Sequence, residues 1–413
     1  MPLVFHSPGK GRKLPSDIPP RSHRPSTPRL FSSTIPPIMK HLFSPSPIPA
    51  LTFHFSLFIF LCFAPMGCSP SPAPEAPPAV TLVDALDRTV ALPALPRRPL
   101  IAGKAPYAIE NALLLFPEAR ANPDLLLPGG RAAQRPGVPR FANLLLPSLP
   151  PAAPEISQGN VEQIAARRPD VVLLKTNSRL FGESIDPLGV PVVYLSLETP
   201  ADYPADLARL GALLGAPDSA RTIADFYQSR LDAVSAALAT LPPDAAPPSV
   251  LVLQATSADG AQSFRVPPPD WIQTRLVELA GGHPVWTNDL SATRWSTVSL
   301  EQIAAWNPDL VLLVSYTASG ADALSAIAAH PVASAIPALS PARVRVFPAD
   351  FVTWDQPDPR WILGLLWTAR QLHPELFPTP FRAEIDAFYA LYSLTPDDVA
   401  SLVLPHLDAP TGL

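Results

Sequence analysis

Aromatic and charged side chains follow the apolar stretches of this chain in a pattern that suits binding rather than bond cleavage. Lys104 and Tyr107 come after the apolar segment 99–103, Asn177 after 171–175 and Tyr316 after 310–314. Asp350 and Trp354 fall in the run DFVTWD after 344–347, and Trp295 precedes another apolar unit. Arg131, Arg135 and Arg140 belong to an irregular stretch, 125–154, rich in Pro, Gly and Arg. Aromatic rings suit the broad apolar face of a macrocycle or aryl chelator, while Arg or Lys pairs with carboxylates or a net-anionic complex. The expected ligand contacts are therefore Lys104, Tyr107, Arg131, Arg140, Asn177, Trp295, Tyr316, Asp350 and Trp354. No Gly-rich phosphate loop follows a strand, and no Ser/His/Asp arrangement or paired carboxylates stand out, so no catalytic residue is assigned. His283, His330, His373 and His406 are scattered beside prolines. They are expected on loops or the surface, not in a protein-built metal site.

What positions these residues is legible in a duplication. Residues 160–174 (NVEQIAARRPDVVLL) and 299–313 (SLEQIAAWNPDLVLL) are near-copies, about 140 residues apart, as a two-lobed protein with a cleft would have. Each opens with an N-cap, Asn160 or Ser299, and places Gln163 or Gln302 three positions on, as a capping box requires. Glu162 and Glu301 then have no capping duty and are expected to face solvent, favoured by the helix dipole. Pro-Asp ends each helix, and a buried strand follows.

Around the two units, 80–96 reads as a two-stranded ribbon turning at Asp87-Arg88, 99–103 as a strand and 107–116 as a helix. Strands at 171–175 and 190–195 complete an N-terminal lobe, 80–202. Helices at 204–214 and 217–241 fill a linking region, 203–242, with Ile223, Phe226, Tyr227, Val234, Leu238 and Leu241 near one face. A C-terminal lobe, 248–403, holds strands at 249–254, 310–314 and 344–347 and helices at 271–280, 361–372 and 381–392, with Trp361 and Trp367 in its core. A short helix starts near Thr395. Alternating strands and helices predict an α/β protein with mainly parallel sheets.

The N-terminus carries different signals. Residues 1–38 are rich in Pro, Ser, Arg and Lys without apolar periodicity and are expected to be disordered or a mis-assigned start. From Met39 the pattern is that of a signal peptide, 39–67. Its apolar run, 51–64, falls short of the roughly 20 residues that span a bilayer. Ala64-Pro65-Met66-Gly67-Cys68 is similar to a lipobox with Pro65 where Leu is usual, which marks Cys68 for acylation and a membrane anchor. Residues 68–79 form a Pro-rich tether. A net charge of −5 without a dense basic face excludes nucleic acid as a partner.

Taken together, these features resemble the periplasmic substrate-binding proteins of ABC importers for iron–siderophore complexes, haem and cobalamin. The resemblance runs from about 80 to 403. It rests on VDALDRTV (83–90), similar to that family's DALGRTV ribbon but with Asp87 for Gly. It rests also on both Glu-x-Ile…Pro-Asp units and on the turn Leu279-Ala280-Gly281-Gly282. It implies two Rossmann-like lobes joined by a single long α-helix, a cleft between them, small closure on binding, and a monomer in the periplasm or another extracytoplasmic compartment. The ligand would be a chelated metal or metal-containing cofactor, with no resident cofactor. The ABC permease would be met through Glu162 and Glu301. Two other classes stay open: an enzyme on the same plan, such as a chelatase, and a surface lipoprotein without a transport role.

Overall fold

The computed structural model describes residues 80–122, 127–128, 135, 137–147, 149, 160–258, 261–290, 293–316 and 318–408. The segments 1–38, 39–67 and 68–79, with Cys68, and likewise Arg131, lie outside the described residues. The chain enters as an antiparallel ribbon, β1 (Val80–Val83) against β2 (Thr89–Leu92). Asp84 holds its turn, accepting from the backbone N–H groups of Leu86 at 2.9 Å and Arg88 at 3.1 Å and from the Arg88 guanidinium at 2.7 Å. Asp87 sits at φ +59°, in the left-handed region where the related pattern carries Gly; Asp is one of the few other residues that enter it readily. Arg88 also donates to the Val192 carbonyl at 2.7 Å and covers the Tyr194 ring at 4.4 Å, fastening the ribbon to the first sheet.

That sheet comes from β3 (Pro99–Ile101), α1 (Pro106–Leu113), α2 (Pro117–Ala121), β4 (Leu127–Pro128), α3 (Phe141–Leu145), α4 (Val161–Arg167), β5 (Val171–Lys175), α5 (Arg179–Glu183) and β6 (Val192–Leu195). The strand order is β4-β3-β5-β6, all parallel. Every residue of β5 and β6 is buried, which is why both read as unbroken apolar runs. Next come α6 (Tyr203–Leu214) and α7 (Pro217–Leu238). Gly211 lets them pack closely, since a Cβ there would lie 2.6 Å from that of Ala220. With 22 residues, α7 extends roughly 33 Å and leads to the second sheet. Ile223, Tyr227 and Val234 are its buried stripe, with Phe226 and Leu238 packed beside them.

The second sheet contains β7 (Ser249–Ala258), β8 (Ala261–Val266), α8 (Ile272–Leu279), β9 (His283–Pro284), β10 (Ser296–Val298), α9 (Leu300–Trp306), β11 (Leu310–Val314), α10 (Gly320–Ala329) and β12 (Val344–Val346). Its order is β10-β8-β7-β11-β12, with β9 also on β7. The sheet is mainly parallel, as expected, but it carries an antiparallel extension that the sequence does not announce. β7, β11 and β12 are parallel, but β7 runs four residues beyond the predicted strand and pairs with an antiparallel β8, to which β10 adds. α11 (Trp361–Leu372), α12 (Arg382–Ala390) and α13 (Pro396–Asp398) close the chain, with Trp361 and Trp367 in the core.

The duplicated units do the same structural work in both lobes. Asn160 Oδ1 accepts from the Gln163 N–H at 3.3 Å, and Ser299 makes the full reciprocal box with Gln302. Arg168 and Asn307 terminate α4 and α9 at φ +47° and +40°. The Asp of each Pro-Asp then anchors the start of the neighbouring strand. Asp170 accepts from the N–H groups of Arg97 and Arg98 at 2.6 and 3.0 Å, and Asp309 accepts from the N–H and hydroxyl of Ser249 at 2.9 and 2.6 Å. Because each helix ends one tight turn before its strand, it runs antiparallel to the sheet, and its first turn lies toward the sheet's carboxyl edge. Glu162 and Glu301 are both exposed there.

Candidate ligand cleft

Parallel strands present ligand sites beyond their carboxyl ends, and at that edge both lobes line one cavity of about 340 Å³. From the first lobe come Ala105 and Tyr107 after β3, Lys175 and Asn177 at the end of β5, and Glu198 after β6. The second lobe supplies Trp271, Ile272 and Gln273 at the start of α8, Trp295 before β10 and Tyr316 after β11. Gln356 and Pro357, from the loop between β12 and α11, complete the wall. Trp295 is the centre of an aromatic face, meeting Trp271 and Tyr316 edge-on at 6.1 Å each. Such edge-to-face contacts leave ring faces available to a flat ligand.

The polar groups are mostly committed to one another. Tyr107 donates its hydroxyl to Gln356 Oε1 at 2.6 Å, a bond between the first lobe and the C-terminal loop. Tyr316 donates to Asp355 Oδ2 at 2.5 Å, where Gln273 Nε2 also points at 3.3 Å. Lys175 is fully buried, with Nζ 2.9 Å from Glu198 Oε1 and 3.4 Å from the Leu197 carbonyl. Asn177 Nδ2 donates to the same Glu198 oxygen at 3.0 Å. Burial pulls the Lys175 ammonium below its usual range against the opposing pull of Glu198, and burial pushes the Asp355 carboxyl up. The Tyr107 hydroxyl is driven up, first by burial and then by the carboxylates of Asp358, Asp355 and Glu198. Two non-glycine residues beside the cavity, Ala105 and Leu197, are held at φ +48°. Backbone strain of this kind is kept where surrounding contacts over-determine it.

Of the expected ligand contacts, the structure brings Tyr107, Asn177, Trp295 and Tyr316 to the wall. It does not bring Lys104 there. Lys104 is exposed, and its backbone N–H donates to Ser178 Oγ at 2.9 Å. Arg140, Asp350 and Trp354 are corrections. Arg140 is buried in an ion pair with Glu110. Asp350 is fully buried, accepting from the Phe351 N–H at 2.5 Å, from Trp354 Nε1 at 2.9 Å and from Tyr389, with Arg360 Nε at 2.7 Å. Trp354 is fully buried and stacks on Phe381 at 5.9 Å. None of the three belongs to the cavity wall. Arg135 is likewise committed, to the carbonyls of Ala349, Asp350 and His406 and to Asp408. His373, expected at the surface, is buried. Ser299 and Gln302 close the α9 cap between themselves, and the Glu301 backbone N–H and Ser299 hold the nearby Glu301 carboxyl below its usual range. Trp271, Gln273 and Gln356 were not expected in the cleft. Trp271-Ile272-Gln273 after Pro-Pro-Pro-Asp is a helix start facing the cavity, but nothing local in the sequence says which way that start faces. Among the described residues no three His, Cys, Asp or Glu side chains gather as a metal site.

The arrangement can grip and orient a small molecule, and its match to known proteins agrees. The model of the periplasmic binding protein family matches residues 134–351, just over half of the chain. The chain belongs to that family. Two curated vitamin B12-binding proteins, from Pectobacterium atrosepticum and Pectobacterium carotovorum, are each 25% identical to it, over 172 and 173 residues or 40% of this chain. The chain spans 60% and 59% of their lengths. Among solved structures, it is similar to an ABC transporter solute-binding protein from Sulfurospirillum deleyianum (TM-score 0.61, 20% identity, 78% of this chain and 98% of that one). It is similar also to the molybdate-bound periplasmic binding protein of Haemophilus influenzae (TM-score 0.61, 18% identity, 76% and 98%). A third is the Ni(II)-bound CeuE of Helicobacter pylori (TM-score 0.60, 16% identity, 78% and 99%). At these identities the likeness is one of fold, and as a periplasmic binding protein this chain is a binder rather than an enzyme.

Proposed function

We propose that this periplasmic binding protein is the solute-binding component of an ABC importer. It captures a chelated metal or metal-containing cofactor of the siderophore, haem or cobalamin kind in the cleft and hands it to the permease. The observation that carries this is a cavity lined from both lobes at their strand ends, with an aromatic face formed by Trp271, Trp295 and Tyr316. The similarity to vitamin B12-binding proteins supports the same ligand class. Glu162 and Glu301, exposed at equivalent places of the duplicated unit, are the docking residues for basic side chains of the permease. Acylation of Cys68 after removal of 39–67 would hold a monomer at an extracytoplasmic membrane surface by the tether 68–79.

The test pairs binding with uptake. Ligand addition is expected to change tryptophan emission, since two tryptophans line the cavity. Charge reversal of both glutamates (Glu162→Lys with Glu301→Lys) is expected to abolish uptake by cells and leave that fluorescence titration unaltered. Uptake at the wild-type rate would remove the docking role.

A further inference from the structure

Resting on the assignment of the cleft as the ligand site, we propose that it selects an uncharged or cationic ligand. By the same chemistry it rejects carboxylate-bearing and oxyanionic ligands. Of the candidate arginines, the two among the described residues, Arg135 and Arg140, are spent in the interior. The wall's single described cation, Lys175, is fully buried, and its charge is met at 2.9 Å by Glu198. Asp355 lies immediately behind Tyr316 and Gln273, so the described ionisable groups of the wall sum to zero or below whichever form Asp355 takes. Burial is the first cause of the rise at Tyr107, and the carboxylates of Asp358, Asp355 and Glu198 add to it in the sense expected of a negative wall.

The wall's free hydrogen-bonding groups carry no positive charge either. Tyr107 and Tyr316 donate their hydroxyl hydrogens to Gln356 and Asp355, which leaves their oxygens to accept. Both contacts to Glu198 fall on Oε1, leaving Oε2 as an acceptor with no partner among the described residues. The donors beside them, Gln356 Nε2 and the indole N–H groups of Trp271 and Trp295, are uncharged. An unmatched acceptor costs binding energy against a ligand carboxylate and gains it against an amide or ammonium N–H. The aromatic face accommodates the flat or apolar part of such a ligand, and cations are favoured over ring faces.

The decisive experiment is calorimetric titration of the purified protein with four probes. These are cyanocobalamin, uncharged and bearing amide side chains; ferrioxamine B, a cationic hydroxamate complex; haemin, with two carboxylates; and molybdate, a dianion. One of the first two is expected to bind at least about tenfold more tightly than either anion. Asn177→Lys, which adds a cation at an exposed position of the wall, is expected to improve haemin or molybdate binding about tenfold. Because Asn177 is exposed, that variant should fold, and an unchanged melting temperature checks it. Preferential binding of haemin or molybdate by the wild type, with no gain in the variant, overturns the charge selection and leaves the receptor assignment standing. No heat with any probe removes the receptor assignment and this inference with it.

Discussion

A single buried carboxylate shows how tightly this chain's residues are accounted for. Burial alone would push the Asp84 carboxyl up, but hydrogen bonds from the Arg88 side chain and the backbone N–H groups of Leu86, Arg88 and Tyr194 outweigh it and hold the carboxyl below its ordinary value. A depressed folded-state value means that Asp84 stabilises the protein above its unfolded value of about 3.9 and loses that contribution as pH falls through the folded one. Asp84→Asn is therefore expected to lower the urea midpoint at pH 7 and to differ much less from wild type near pH 3. Equal differences at both pH values would contradict the linkage. The same scale explains which cleft residues were legible. Tyr107, Asn177 and Tyr316 stand directly after strands, so their sequence position gave their place. Asp350 and Trp354 stand after a strand as well, yet they turn inward because Arg360, ten residues on from Asp350, requires a buried counter-charge. Arg360 lies 2.7 Å from Asp350 and 2.9 Å from Asp358. Removing one member of such a buried pair typically costs about 3–5 kcal/mol.

At the scale of elements, the duplicated helices were legible to within a residue because caps and Pro-Asp terminators are local signals. The unequal caps predict unequal costs. Ser299→Ala breaks a reciprocal box and is expected to destabilise by about 1 kcal/mol. Asn160→Ala breaks one bond of 3.3 Å and should cost less. Chemical denaturation of the two variants checks the order, and an equal or larger loss at Asn160 would refute it. The antiparallel pair β8 and β10 escaped notice because AQSFRV and STV are short and lack strict alternation, so their pairing is decided by β7 rather than by their own residues. α10 was missed for a related reason. Its Ser319 cap was present, but its Ala-rich sequence GADALSAIAA carries a narrow apolar stripe.

Across the whole molecule, the C-terminal segment ties the lobes together alongside α7. Asn111 on α1 donates to Asp358 at 2.6 Å, Tyr392 donates to the Asn111 carbonyl at 3.2 Å, and Arg120 bonds the Leu391 carbonyl and Ser393. Tyr227 on α7 reaches the Pro359 carbonyl at 2.8 Å. Such pins predict backbone shifts of about 1 Å or less on binding. Solution scattering with and without ligand should show almost no change in radius of gyration, and a contraction of several ångströms would contradict the pinned interface. These pins join residues more than a hundred positions apart, and no local pattern announces them. The tie between Tyr107 and Gln356 has a thermodynamic corollary. A receptor whose walls are already hydrogen-bonded across the mouth has little disorder left to surrender when cargo arrives. Its affinity should then be governed by desolvation and contact enthalpy, and its residence time by how quickly a handful of side chains let go.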